Sequence, residues 1–66
     1  MISGYIDYDD RDTELIRKIF GDNITEIRKS DFPGWHVARF ENMPDAVLDE
    51  LTPYWGQFEW IIDEQA

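Results

Sequence analysis

The chain has 66 residues, with 15 Asp or Glu against six Lys or Arg, a formal charge of −9, 42% hydrophobic and 15% aromatic residues, and no cysteine. This length holds one domain, expected to span residues 1–66 as an acidic unit. The lack of cysteine excludes a disulfide scaffold, a thiolate metal site and a Cys nucleophile, while the lone His36 cannot build a His-rich zinc site.

The first predicted element is a strand over residues 2–8. Ile2, Gly4, Ile6 and Tyr8 fall on one face by period two, and Ser3, Tyr5 and Asp7 on the other. Gly4 inside it signals a bulge or a helix packed close against the backbone. Asp9 and Asp10 then offer N-caps for a helix over about residues 11–20. Its apolar stripe is Leu15, Ile16, Ile19 and Phe20, and Gly21 stops it.

Residues 24–29 read as a second strand whose mixed pattern suits a sheet edge. The Asp31-Phe32-Pro33-Gly34 segment is a turn signal, with Pro33 presetting φ and Gly34 accepting a positive φ. Residues 35–41 form the third strand, with Trp35, Val37 and Arg39 on one face and His36, Ala38 and Phe40 on the other. Asn42 is placed to cap a second helix whose stripe is Val47, Leu48 and Leu51. Pro53 ends that helix near Leu51. Residues 58–63 form the last strand, with Phe58, Trp60 and Ile62 facing one way and Ile61 the other.

The element order β-α-β-β-α-β predicts an α+β chain of the ferredoxin-like class, with two helices on one face of a four-stranded antiparallel sheet. Asp7, Asp9, Asp10 and Asp12 precede any basic or apolar run, so the N-terminus does not read as a signal peptide. No stretch approaches the ~20 apolar residues of a membrane span. The expectation is a cytoplasmic protein, with no membrane contact and no direct nucleic-acid contact, because its charge repels anionic lipid and phosphate.

Motifs for chemistry are sparse, and no cofactor is expected. Starting at Asp10, an EF-hand loop would use Asp10, Asp12 and Glu14. The required Gly at its sixth position is Leu15, and the required Glu at its twelfth is Gly21. Helix capping and first-turn acids that suit the helix dipole account for the same residues, against an acidic metal-binding module. Ser3 and Ser30 lie in no nucleophile-elbow context, and there is no phosphate-binding glycine loop. The chain does not read as an enzyme. An open sheet face bearing Tyr5, Trp35 and Val37 would resemble the base-stacking face of RNA-binding modules, but those add Lys and Arg for the phosphates. Such a face suits protein contact instead, including a homodimer.

The acids are unevenly placed. Residues 1–33 hold eight acids and five bases, residues 34–66 seven acids and one base, and none of the bases lies after Arg39. In a second helix capped by Asn42, Asp49 and Glu50 would sit at the negative end of the dipole, and Asp45 and Asp49 would be like charges one turn apart. Two readings stay open. One is a solvated face that keeps the protein soluble. The other is a ridge of Glu41, Asp45, Asp49 and Glu50, extended by Glu59, Asp63 and Glu64, that docks on a basic partner. Tyr54 and Trp55, between Pro53 and Gly56, serve either as anchors of that contact or as a cover folded over a helix end.

The expected function is that of a small binding inhibitor. It would occupy the basic surface of a nucleic-acid-handling protein (a nuclease, a repair enzyme or a CRISPR effector) in place of phosphates. By analogy of size and charge this suits phage-encoded anti-defence proteins such as anti-CRISPR inhibitors. The alternatives are a regulatory module that self-associates through its open sheet face, and the metal-binding module.

Overall fold

The computed structural model describes residues 1–54 and 56–65, with residues 64 and 65 described by their backbone alone. The strands are β1 (Ile2–Asp9), β2 (Ile24–Lys29), β3 (Trp35–Met43) and β4 (Glu59–Gln65); the helices are α1 (Thr13–Phe20) and α2 (Val47–Leu51). Single 3₁₀ turns at Asp10–Asp12, Gly21–Asn23 and Thr52–Tyr54 flank the helices. The result is an α+β chain built on a four-stranded antiparallel sheet in the order β2-β3-β1-β4.

Alternation along the strands sets the core. Ile2, Ile6 and Tyr8 of β1 are buried, and so are Ala38 and Phe40 of β3, which pair with Ile6 and Gly4. They join Ile16 and Phe20 of α1, Val47 and Leu51 of α2, and Met43 and Phe58 in one cluster. The Phe20 and Phe40 rings meet at a centroid distance of 4.9 Å, within the range of favourable tilted ring pairs. Large aromatic side chains let a chain this short bury a core.

Gly4 allows the two central ladders to close. Both the β1–β3 and the β1–β4 registers shift around it. A Cβ at Gly4 would collide with the Ile61 carbonyl of β4. The shift also reverses the expected placement of Ser3. Instead of facing outward, Ser3 is buried, and its Oγ accepts a hydrogen bond from the Asn42 N–H at 3.1 Å.

The hairpin turn follows its residues. The Trp35 N–H donates to the Phe32 carbonyl at 3.1 Å, and Gly34 takes φ 80°. Pro33 and Gly34 thus hold the two central positions of a type II turn.

The second helix departs most from expectation. Asn42 does not cap it: β3 runs on to Met43, whose partner is Ile2, and Asn42 lies within the strand at φ 56°. Asn tolerates this left-handed conformation better than most residues. The Asn23 side chain secures the kinked strand end by donating to the Glu41 and Asn42 carbonyls at 3.0 and 3.2 Å. Helix α2 then begins only at Val47, where N–H groups of residues 47–49 donate three residues back to Pro44, Asp45 and Ala46. Thr52–Tyr54 continues as a single 3₁₀ turn that contains Pro53.

Candidate functional site

The acids singled out in the sequence divide into two groups. The first surrounds α2. Asp45, Asp49 and Glu50 are all exposed. Asp45 accepts from the Met1 amino group at 2.9 Å, and no Lys or Arg side chain forms an ion pair with any of the three among the described residues. Lys18 of α1 stands across a depression of about 650 Å³ that Asp49 and Glu50 border on the α2 side.

The late start of α2 changes the meaning of these charges. In a helix of only five residues the first and last turns overlap, so Asp49 and Glu50 fall in the first turn and near the C-terminal end alike, and Asp45 precedes the helix. So short a helix has a small dipole, and the opposition that the sequence pattern suggested is correspondingly weak. Acids in a first turn suit the positive end of a helix.

The second group lies on the sheet face opposite the core. Tyr5, Val37 and Arg39 share that face by alternation and register, and Glu59 pairs with Asp7 on it. Arg39 organises the group. Its guanidinium donates to the Asp63 carboxylate at 2.6 Å, lies 3.8 Å from Glu41, and stacks over the Tyr5 ring at 4.8 Å from the centroid. The hydrogen bond that Arg39 donates to Asp63 holds the guanidinium still more firmly in its charged form, outweighing the opposing effect of desolvation. Two of the acids after Arg39 are thus answered by Arg39 itself. The same stacking occupies the Tyr5 ring, and Trp35 is half-buried with its ring edge-on to Phe32 at 6.4 Å.

Glu41, Glu59 and Asp63 therefore stand on the sheet while Asp45, Asp49 and Glu50 stand around α2. Tyr54 is half-buried, 6.2 Å from the Phe58 ring and packed against the core. Trp55 lies outside the described residues, and so does the Glu64 side chain, although the Glu64 backbone pairs with Ser3.

The acidic segment after β1 is tied down locally. Asp9 accepts from the Arg11 N–H at 3.0 Å, Asp10 contacts His36 Nδ1, and the His36 ring stacks on Tyr8 at 6.2 Å. Burial pushes the Tyr8 hydroxyl above its usual pKa. The Ser30 hydroxyl donates to Asp7 at 2.9 Å, and Ser3 holds Asn42, so neither serine meets the His36–Asp10 pair. Among the described residues no three His, Asp or Glu side chains converge in a way that could hold a metal ion. Among them, too, no helix is long and apolar enough to cross a membrane.

The Arg39–Asp63–Tyr5 cluster, the Asp7–Ser30 bond and the His36–Asp10 contact escaped the sequence reading. Alternation puts Arg39 and Tyr5 on matching faces only once the β1–β3 register is known. Comparison with protein-family models, curated proteins and solved structures found no match.

Proposed function

We propose that this protein is a non-enzymatic binding module that presents the carboxylates around α2 to a basic, nucleic-acid-handling protein and competes there with phosphates. The observation that carries the reading is the exposure of Asp45, Asp49 and Glu50 with no Lys or Arg side chain paired to them among the described residues. Exposed carboxylates that no Lys or Arg side chain answers are available to a partner, with Asp45 held only by the Met1 amino group among the described residues, and they steer a basic partner toward the docking surface. The core-facing residues of α1 and α2 fix this surface on a rigid sheet.

The scaffold we propose is a ferredoxin-like fold with both helices on one sheet face. Its support is the element order, the antiparallel order with β1 and β3 central, and the single cluster that buried residues of both helices share with those strands. A reducing, cytoplasmic setting fits the lack of cysteine, and an anti-defence role encoded by a phage fits the size and charge by analogy alone.

The test is affinity for a captured partner, from low to high salt, with the wild type set against an Asp45→Asn, Asp49→Asn, Glu50→Gln variant. The variant lowers the formal charge from −9 to −6 by removing three carboxylates. At ~0.5 kcal/mol per exposed ion pair, affinity should fall about tenfold, and wild-type binding should weaken steeply with salt. Binding indifferent to both changes would overturn the reading.

A further inference from the structure

Strand β2 is an edge of the sheet, with β3 as its only neighbour among the described residues. Residues Thr25 to Lys29 are all exposed, and Ile27, 41% exposed, is one of the large hydrophobic side chains left at the surface. The ladder to β3 sets which backbone groups face outward. Ser30 N–H donates to the Trp35 carbonyl at 3.0 Å, and the register continues Lys29↔His36, Arg28↔Val37, Ile27↔Ala38. Hydrogen-bonded and non-hydrogen-bonded pairs alternate in an antiparallel ladder. Arg28 therefore bonds inward like Ser30, while Ile27 and Lys29 turn their N–H and C=O toward the open edge.

We propose that this edge joins two copies of the chain into a symmetric dimer, β2 against β2, about a two-fold axis at Ile27. Ile27 exchanges both backbone hydrogen bonds with its own counterpart. Glu26 then stands opposite Arg28 of the second copy, and Arg28 opposite its Glu26. Both ion pairs fall on the face that carries Val37 and Arg39, since Glu26 pairs with Arg39 and Arg28 with Val37. On the other face the two Ile27 side chains meet.

Charge complementarity selects this register. An axis at Glu26, Arg28 or Lys29 would place that residue against itself, and like charges directly opposite are destabilising. Among the four residues Glu26–Lys29, Ile27 is the centre that avoids it. The edge also suits association in a chain of charge −9, because β2 holds two bases and one acid. At the opposite edge β4 carries Glu59, Asp63 and Glu64. The register shift between Ile24 and Glu26 limits the pairing to a few residues, and a two-fold interface closes on itself instead of growing into a fibre. Such a short interface makes a weak, concentration-dependent dimer.

The experiment is sedimentation from the low micromolar to the submillimolar range on the wild type, Glu26→Arg, Arg28→Glu and the double exchange. The wild type should dimerise, each single variant should associate several-fold more weakly, and the double exchange should regain the wild-type association. A wild type that stays monomeric throughout, single variants that dimerise unchanged, or a double exchange that regains nothing overturns the proposal. Amide exchange at Ile27 in the wild type decides the matter even where a variant fails to fold. Protection that grows with concentration supports the dimer, and protection independent of concentration overturns it.

Discussion

Gly4 shows how one residue sets the geometry around it. It sits in the central strand β1, where both ladders shift and where a Cβ would strike the Ile61 carbonyl. A glycine within an alternating apolar strand signalled a bulge or a closely packed helix; the ladders do shift there, but the backbone that approaches is β4 and not a helix. Gly4→Ala must displace β4 backbone, which cannot yield as a flexible side chain does. A loss of about 1–3 kcal/mol is expected, read as an earlier urea midpoint; an unchanged midpoint would show that β4 moves aside without cost. Arg39 is the opposite case. It looked like the last base before an unanswered acidic stretch, and it proves to hold Asp63, Glu41 and the Tyr5 ring together. Glu41 is two positions on in the same strand, but Asp63 and Tyr5 come from β4 and β1, 24 and 34 positions away in the chain, so no local pattern reports them.

At the scale of elements, the strands were the readable part. Period-two alternation marked β1, β3 and β4, and β2, mixed in pattern, was placed to the residue. The junction of β3 and α2 was not readable, because Asn42 followed by Asp45 imitates a capping box. The competing force is tertiary. Continuing β3 to Met43 buries that side chain and pairs it with Ile2, at the expense of the first turn of a longer helix. The conflict between the acids and the helix dipole shrinks with that turn, because a five-residue helix has a small dipole. If the left-handed Asn42 lets the strand kink, Asn42→Val should cost about 1–2 kcal/mol, whereas Asn42→Gly should stay within ~0.5 kcal/mol of the wild type. Thermal melts of the two variants check this, and equal melting points would contradict it.

Across the whole molecule, the charge is divided instead of gathered into one ridge. The sheet face balances part of its acidity through Arg39, and the segment after β1 ties Asp9 and Asp10 to local partners. The carboxylates around α2 remain turned to solvent. Composition showed the excess of acid, but only the fold separates the acids that serve the structure from those left exposed to solvent. A dimer through β2 would leave both copies of α2 available and would double the charge offered to a basic surface. The central claim, that this surface takes the place of phosphates, is tested most directly by competition. A captured basic partner is bound to labelled duplex DNA or RNA, and the wild-type protein is titrated in. Mimicry predicts that nucleic acid is released as the protein binds, with the Asp45→Asn, Asp49→Asn, Glu50→Gln variant needed at about tenfold higher concentration. A ternary complex, with protein and nucleic acid bound together at unchanged affinity, would contradict the claim.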